Sequence, residues 1–346
     1  MKVSIPEIPA RYYARLSDAL QRKGVDYHTL LLQAGLQESQ LRAPEATLRL
    51  DQVERLVQVI IEQTGRHDLA LDFGHAVKLS SHSILGYAML SSPNVGYSMQ
   101  LAARFFRLIL PMFRMRYHRS ANHMQLSFEP ILSMTHDCIV FHLETIAAAA
   151  HWEIRELLQG QMPAYDLYLS CPTPAHMARY AELAGARCHF SWDATPSLRM
   201  IFPGETAQHP LNLADPAALQ MAEARCRDMV RRVIMSGHVS DWVSMMLREA
   251  SDSMLTLVEL AETLNLSART LDRYLKKEQT SFRELTREAR HARSLALLDD
   301  PTMTITQVAH ELGYTDASNF TRAFRRDMGM TPADFRHQPE RSPAEA

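Results

Sequence analysis

Residues 305–336, ITQVAHELGYTDASNFTRAFRRDMGMTPADFR, repeat and extend a pattern that already appears at residues 257–277, LVELAETLNLSARTLDRYLKK. In both stretches an apolar helix pattern, a turn and an amphipathic helix pattern follow one another. Self-similarity of this kind indicates a structural repeat. We therefore predict two helix-turn-helix units, a motif that places its second helix in the major groove of DNA. With one residue inserted in the second copy, the matched positions are Ala261 with Ala309, Leu264 with Leu312, Leu271 with Phe320, Arg273 with Arg322, and Leu275 with Phe324.

Each copy begins with the signature of a capping box, Thr256 with Glu259 and Thr304 with Gln307. In a capping box, two side chains satisfy backbone donors that the first helical turn leaves without partners. The turns at Asn265 and Gly313 require residues that tolerate a left-handed backbone. The starts of the first helices and the turns after them are therefore encoded locally.

The second helix of each copy has an apolar and a polar face. Its apolar residues lie four apart and are expected to face inward. The polar faces suit hydrogen bonds to base edges, with cations at the far end near phosphates. A merely solvated helix also shows a polar face, but two such faces in register favour DNA binding. We predict base contacts from Arg269, Asp272, Arg273, Ser318, Asn319, Thr321 and Arg322, and phosphate contacts from Lys276, Lys277, Arg325 and Arg326.

A third amphipathic helix pattern, residues 282–298, separates the two copies. A helix of this length spans roughly 25 Å, comparable to the ~34 Å between successive major grooves. The formal net charge of the chain is −2, so affinity for DNA must come from local clusters of basic residues. We therefore predict that the two recognition helices contact two successive major grooves on one side of double-stranded DNA.

The second copy and its continuation resemble the AraC/XylS family of transcriptional regulators. The resemblance covers about residues 238–337 and implies a seven-helix DNA-binding domain that contacts RNA polymerase, as an activator does. Upstream, the sequence is similar to the arabinose-binding-type N-terminal domain of some of these regulators, which implies a small-molecule effector without identifying it as a sugar. The residues that carry the resemblance are Ile305, Ala309, Gly313-Tyr314, Ser318-Asn319-Phe320, Arg322-Ala323-Phe324, Gly329, Thr331-Pro332 and Phe335-Arg336 downstream, with Leu85 to Pro93, Phe105-Phe106-Arg107 and Pro174-Ala175-His176 upstream.

The 346 residues, 46% of them hydrophobic and 22% charged, are typical of a globular protein of two or three domains. We predict an α+β effector domain at residues 1–209, a linker helix at 210–237, an all-α DNA-binding domain with two helix-turn-helix motifs joined by a helix at 238–337, and a flexible tail at 338–346. Periodicity predicts N-terminal helices at 12–23, 27–33, 50–64, 69–77, 95–110, 143–158, 174–184 and 216–234, a hairpin of strands 113–118 and 124–128, and strands at 165–170, 187–190 and 198–202.

The linker helix carries an apolar stripe of Leu219, Ala222, Cys226, Met229 and Val233. This stripe has two possible partners. It pairs two subunits into a homodimer, or it packs on its own domain.

Several classes of function are disfavoured. The first residues lack an apolar signal segment and no run of about eighteen apolar residues is present, so we expect a cytoplasmic protein without a membrane partner. Catalytic and cofactor motifs are absent, and we predict no enzyme activity and no cofactor. The acids and histidines of one helix, His142, Glu144, His151 and Glu153, resemble metal ligands, but the run Ala147 to Ala150 favours a structural role and we predict no metal.

Two alternative functions stay open. One is an enzyme fused to the DNA-binding module, in which Cys138 or Cys226 accepts an alkyl group from DNA; neither cysteine has the Pro-Cys-His context of such a site. The other is an architectural protein, which would not need so large an N-terminal domain.

The effector pocket is predicted in the segment from Ile84 to His118, where aromatic and methionine side chains alternate with arginines. This mixture suits an amphiphilic acid, such as a fatty acid or a hydrophobic amino-acid derivative, whose carboxylate pairs with arginine. The alternative is that the apolar residues form the core and the arginines a solvated face. The predicted effector contacts are Tyr87, Arg104, Phe105, Arg107, Phe113, Arg114 and Arg116.

Overall fold

The computed structural model describes residues 7–21, 24–43, 45–236, 239–249, 255–264, 266–298, 303–314 and 316–336. The chain divides into two compact units, residues 4–230 and residues 231–346. This division falls inside the predicted linker, while the domain limits themselves stay predictions. Within the described ranges, no helix is long and apolar enough to cross a membrane.

The N-terminal unit combines helices with a β-sheet. Its helices are α1 (Arg11–Gln21), α2 (Tyr27–Gln33), α3 (Glu38–Arg42), α4 (Leu50–Thr64), α5 (Leu69–Ala76), α6 (Ile84–Leu90), α7 (Val95–Phe105), α8 (His136–Leu157) and the greater part of α9 (Pro216–Ser236), with short 3-10 helices at Leu79–His82, Phe106–Leu108, Met177–Glu182 and Gly204–Gln208. The strands are β1 (Ile8–Pro9), β2 (Thr47–Leu48), β3 (Phe113–Arg119), β4 (His123–Pro130), β5 (Tyr165–Leu169), β6 (Ala186–Phe190) and β7 (Leu198–Pro203).

The larger sheet has five strands in the order β3-β4-β7-β5-β6. Strands β3 and β4 form the predicted hairpin, in which Phe113 lies opposite Pro130 and Arg119 opposite Met124. All neighbouring strands run antiparallel except β5 and β6, which are parallel. The short strands β1 and β2 pair separately.

Alternation along the hairpin gives the sheet an apolar face. Met115 on β3 and Leu126 and Phe128 on β4 are buried in the core, and Phe128 lies 5.5 Å from Phe106 between ring centroids. Successive side chains of a strand point to opposite faces, so Arg114 and the other intervening residues lie on the opposite face. The apolar face thereby becomes one wall of the N-terminal core.

Helix α8 packs unusually closely against α5. A Cβ atom placed on Gly74 of α5 would lie 2.4 Å from the carbonyl oxygen of Thr145 and 2.5 Å from Cβ of Ala148. Ala147 and Ala148 are fully buried. This close packing agrees with the structural role predicted for the alanine run.

The C-terminal unit is helical throughout its described residues. Its helices are α10 (Val239–Glu249), α11 (Leu257–Thr263), α12 (Ala268–Lys277), α13 (Phe282–Leu298), α14 (Ile305–Glu311), α15 (Ala317–Met328) and α16 (Pro332–Arg336). The α+β and all-α classes predicted for the two parts of the chain are confirmed.

Several N-terminal elements differ from prediction, among them α3, β1 and β2, which were not predicted. Helix α8 begins at His136 rather than Leu143, because its first turns bury only part of one face and show weak periodicity. The predicted helix 174–184 is only a 3-10 turn, Met177–Glu182. Helix α6 was not predicted, since its seven residues are too few to show a helical period.

Candidate DNA interface and buried cavity

Helices α11 and α12 form the first helix pair. The Thr256 N–H donates to Oε2 of Glu259 at 2.7 Å, and the Glu259 N–H donates to Oγ1 of Thr256 at 3.2 Å. Ser267 caps α12 by accepting from the Thr270 N–H at 3.2 Å. The predicted turn residue Asn265 lies outside the described residues. The residues buried between the two helices and the neighbouring core are Leu260, Ala261, Leu264, Leu271 and Leu275.

Helices α14 and α15 repeat this arrangement. Thr304 and Gln307 form the predicted capping box, with reciprocal hydrogen bonds of 2.7 and 3.2 Å. Gly313 occupies the turn with φ of +76°, the left-handed conformation that was expected of it. Asp316 then caps α15 by accepting from the Asn319 N–H at 2.7 Å. The buried residues of this pair are Val308, Ala309, Leu312, Phe320 and Phe324.

The outer face of α12 carries the predicted DNA contacts. Arg269, Arg273, Lys276 and Lys277 are exposed, and Asp272 is half-buried. Nζ of Lys276 lies 2.7 Å from Oδ2 of Asp272, one helical turn away. This ion pair neutralises part of the cationic face in the absence of DNA.

The outer face of α15 is organised by hydrogen bonds. Nη2 of Arg322 donates to Oδ1 of Asn319 at 2.6 Å, and Nδ2 of Asn319 donates to Oδ2 of Asp316 at 2.8 Å. The Thr321 hydroxyl donates to the Ala317 carbonyl oxygen at 2.8 Å. The Arg322 guanidinium is therefore held on the exposed surface rather than left to rotate freely. Ser318, Arg325 and Arg326 are also exposed on this helix.

Helix α13 connects the two pairs and packs on the second. The Arg290 guanidinium lies 5.8 Å from the ring centroid of Tyr314. Nη2 of Arg293 lies 3.9 Å from Oε2 of Glu311. Two arginines of α13 thus make contacts within the C-terminal unit.

The N-terminal unit contains a cavity of about 80 Å³. Its walls come from α1, α5, α6, α7, α8, the hairpin of β3 and β4, and the 3-10 helices that contain His82 and Phe106. The apolar lining consists of Phe73, Val77, Met89, Met99, Ala102, Phe106, Ile109, Leu110, Met115, Leu126, Phe128, Ile146, Ala149 and Ala150, and the polar lining of Tyr12, Tyr13, His82, His142, Thr145 and Glu153.

The first group of polar lining residues, Tyr12, His82 and Glu153, is joined by a chain of hydrogen bonds to Arg11, which does not itself line the cavity. Nη2 of Arg11 donates to the Tyr12 hydroxyl oxygen at 3.2 Å, and Nη2 also donates to the Leu108 carbonyl at 2.8 Å. The Tyr12 hydroxyl lies 3.0 Å from Nδ1 of His82, and Nε2 of His82 lies 2.7 Å from Oε1 of Glu153. His82 is almost completely buried.

A second polar group lies around His142. Its Nδ1 lies 2.7 Å from the Cys138 carbonyl oxygen and must donate to it, so Nε2 accepts from the Tyr13 hydroxyl at 2.9 Å. Burial lowers the pKa of His142 to about 4. The imidazole is therefore neutral at physiological pH. The Thr145 hydroxyl donates to the Phe141 carbonyl at 2.8 Å.

Both parts of the chain match known sequence families. Residues 24–211 match the arabinose-binding domain of AraC transcription regulators, and residues 260–338 match a helix-turn-helix domain. The first match alone covers more than half of the chain. The chain belongs to the AraC family of transcription regulators.

Relatives of this AraC-family protein match it along most of its length. The Ornithine utilization regulator of Pseudomonas aeruginosa is 28% identical over 96% of this chain and 97% of that protein. The regulator VqsM of the same organism is 24% identical over 77% of this chain and 83% of its own. The crystal structure of the P. aeruginosa regulator CdpR aligns with 95% of this chain and 98% of its own, at 23% identity and a TM-score of 0.49. The protein is an AraC-type transcriptional regulator with an N-terminal effector-binding domain.

None of the seven residues predicted to bind the effector of this AraC-family protein lines the cavity. Arg114 and Arg116 lie on the opposite face of the hairpin from Met115, each with a guanidinium nitrogen 3.9 Å from Oε2 of Glu129. Tyr87 is 45% exposed. Arg104 is exposed and Arg107 half-buried, while Phe105 and Phe113 belong to the core. As effector contacts, all seven stay predictions.

The sequence does not predict that the polar lining residues come together, because they are distant in the chain. Tyr12 and His82 are separated by 70 positions, and His82 and Glu153 by 71. No local spacing connects them. The one available signal was Glu153, an acid one turn from the alanine run in α8.

The four candidate metal ligands of α8 each form hydrogen bonds with different partners. His142 bonds Tyr13, His151 bonds Tyr165, and Glu153 bonds His82. Glu144 accepts from Nε2 of His176 and from the Tyr180 hydroxyl, both at 2.7 Å. Among the described residues, acids, histidines and cysteines form no group of three that could hold a metal ion.

The cysteines of this AraC-family protein are unsuited to nucleophilic chemistry. Burial raises the pKa of Cys138 to about 12 and that of Cys226 to about 11. The thiolate is the reactive form of cysteine, so at neutral pH both side chains are unreactive thiols. All four cysteines are free.

The apolar stripe of α9 packs on the N-terminal unit. Ala222 and Cys226 are completely buried in its core, and Leu219 and Met229 pack partly buried against it. Glu223 on the same helix accepts from the Tyr97 hydroxyl at 2.7 Å. Of the two alternatives for the stripe, the geometry supports packing on its own domain. The side chain of Val233 is not among those described.

Proposed function

We propose that this AraC-family regulator contacts two successive major grooves on one side of double-stranded DNA, with α12 and α15 as recognition helices. The proposal is carried by one observation. Two helix pairs with caps at corresponding positions, buried residues at corresponding positions and outward-facing arginines are joined by a single helix of 17 residues. Base contacts are assigned to Arg269, Asp272, Arg273, Ser318, Asn319, Thr321 and Arg322, and phosphate contacts to Lys276, Lys277, Arg325 and Arg326.

The two-groove proposal is tested with DNA selected from a random pool by the full-length protein. A selected site should have two short conserved blocks about one helical turn apart. Inserting five base pairs between the blocks rotates one block to the other side of the duplex. Affinity should then fall to the level of unrelated DNA, whereas substituting the central base pairs without changing the spacing should have little effect. Unchanged affinity after the insertion would mean that one helix pair suffices.

We further propose that an effector bound in the N-terminal cavity controls DNA binding or transcription. A ligand can shift activity only by binding one state of the protein more tightly than another. Of the two predicted effector classes, we favour an amino-acid derivative over a fatty acid, because no arginine lies among the described lining residues to pair with a carboxylate. The name of the relative that is 28% identical, which refers to ornithine utilisation, also favours this class.

The effector proposal is tested by filling the cavity. Ala149→Phe on α8 should abolish the response of a reporter gene to a bacterial metabolite extract. The exposed Glu156→Gln on the same helix serves as the control. A response that survives in Ala149→Phe protein would place the effector elsewhere. Contact with RNA polymerase and assembly as a homodimer are further proposals that follow from family membership.

A further inference from the structure

The polar side chains that line the cavity of the N-terminal unit differ in whether they can still donate or accept a hydrogen bond. Six polar side chains line it, and none of the lining residues within the described chain is lysine or arginine. The lining thus carries no fixed positive charge. Glu153 supplies the one acidic group.

In the first polar group, the protons of the two lining residues Tyr12 and His82 are both used in hydrogen bonds within the protein. Arg11 has only protons to give, so Tyr12 accepts from it and gives its own proton to Nδ1 of His82. A neutral His82 then carries its proton on Nε2 and donates it to Glu153. What remains at this end of the cavity is acceptor capacity, above all the second oxygen of the Glu153 carboxylate.

The protons of the second polar group are committed in the same way. Tyr13 donates to His142, and His142 donates to the Cys138 carbonyl. The Thr145 hydroxyl donates to a backbone carbonyl of its own helix. No side-chain donor of the described lining is left for a ligand, so a ligand with an acceptor head group, such as a carboxylate, would be buried without partners. Such burial is strongly unfavourable.

We propose that this cavity binds a small amphiphile whose head group donates hydrogen bonds, an organic amine, with the ammonium group against Glu153 and the hydrocarbon body among the apolar lining. The inference rests on the proposed effector role of the cavity and specifies the ligand class. A decarboxylated or esterified amino-acid derivative meets this description. A free fatty acid does not.

The apolar lining can adapt to such a body. The cavity volume of about 80 Å³ is below that of a ligand pocket for larger molecules, roughly 300 Å³ or more. Three methionines, Met89, Met99 and Met115, line it. Methionine side chains are unbranched and rearrange at low cost, so the site accommodates short alkyl or single-ring amines.

The test uses the full-length protein and compares ligands that share one hydrocarbon body and differ in the head group. Binding of hexylamine, hexan-1-ol and hexanoate is measured by calorimetry and thermal shift at pH 8, above the ordinary histidine pKa of about 6.5. Phenethylamine and 3-phenylpropanoate form a second matched pair. The amines should bind at least about tenfold more tightly than the acids, as expected for a hydrogen bond to a charged partner. The alcohol should lie between them.

Two variants locate the site. Glu153→Gln keeps an acceptor for His82 but removes the charge, so it should reduce amine affinity about tenfold and leave the alcohol within about twofold. Ala149→Phe should abolish binding of every probe, and Glu156→Gln should change none.

The outcomes separate the two proposals. Tighter binding of the acids, lost in Ala149→Phe, would overturn the amine assignment while leaving the cavity as an effector site. Binding that persists in Ala149→Phe would overturn both. If none of the five probes binds, the amine assignment is wrong, and the reporter experiment on Ala149→Phe decides the effector role independently. Should Glu153→Gln fail to fold, the ranking of head groups in the unmodified protein still decides the outcome.

Discussion

Glu278, the residue after α12, accepts hydrogen bonds from the backbone at Val239, the first residue of α10. The Val239 N–H donates to Oε1 of Glu278 and the Ser240 N–H donates to Oε2, both at 2.8 Å. A carboxylate at a helix N-terminus satisfies unpaired donors and interacts favourably with the helix dipole. Since 39 positions separate the partners, this cap fixes α10, in the C-terminal unit, to the end of α12.

Replacing Glu278 by alanine should lower the free energy of unfolding of the C-terminal unit by about 1–2 kcal/mol, because two backbone donors lose their acceptor. Chemical denaturation followed by circular dichroism measures the change. The exposed Glu288→Ala on α13 is the control and should stay within about 0.5 kcal/mol of the unmodified protein. Equal stability of both variants would show that the cap is dispensable.

Arg273→Ala and Arg322→Ala should each relax sequence preference in one block of the selected DNA site. A bidentate arginine contact to guanine contributes ~1–3 kcal/mol of discrimination. Asn319→Ala should act in the same direction as Arg322→Ala but more weakly, because Asn319 holds the Arg322 guanidinium. Competition binding against single-base variants of the site measures the effect. Preference retained in both arginine variants would mean that other side chains contact the bases.

Lys276→Ala should weaken binding to all sequences alike and reduce the slope of log affinity against log salt concentration by about 1. Asp272→Asn releases Lys276 from its ion pair and removes a negative charge from the DNA-facing surface. It should therefore strengthen binding to unrelated DNA. Fluorescence anisotropy between 50 and 300 mM salt tests both variants. A slope that Lys276→Ala leaves unaltered would exclude a phosphate contact.

The His176–Glu144 contact should make stability depend on pH. The hydrogen bond to the Glu144 carboxylate raises the pKa of His176 above its usual value. The stabilisation is thus fully present below the unfolded pKa of about 6.5 and is lost as pH rises through the higher folded pKa. His176→Gln should therefore cost more stability at pH 5.5 than at pH 9, measured by thermal denaturation. The exposed His28→Gln is measured for comparison. The proposed pH dependence is wrong if His176→Gln loses the same stability at both pH values.

Gly74→Ala should destabilise the N-terminal unit by about 2–3 kcal/mol, since the added methyl group overlaps α8 and overpacking is costly. Ala148→Gly in the same protein should restore part of this loss by removing one of the two overlapping groups. Thermal denaturation of the single and double variants measures the coupling. Simple additivity of the two changes would argue against a direct contact.

The helix pairs were predictable because their signals are local. A capping box spans three positions, as Thr304 and Gln307 do, and a buried pair such as Phe320 and Phe324 spans four. Glu278 could not be assigned a capping role, since its partner lies on a helix far away in sequence. The cavity could not be predicted either, because its polar lining comes from segments far apart in sequence: α1, α8 and the turn that contains His82. The arginines of β3 were grouped with Met115 by proximity in sequence, whereas strand alternation places them on opposite faces of the sheet.

The residues that determine where α15 begins and ends lie at the two ends of the helix itself. Asp316 caps its N-terminus. Gly329 caps its C-terminus with φ of +74° and donates its N–H to the Arg325 carbonyl. Its anchorage in the core runs through Phe320 and Phe324. Ala317 and Met328 also pack partly buried against this core. We therefore expect residues 316–329 to be exchangeable as one segment where these contacts are kept. Grafting the corresponding segment of another regulator, with both phenylalanines retained, should transplant one half of a foreign operator preference without redesigning the scaffold that holds it.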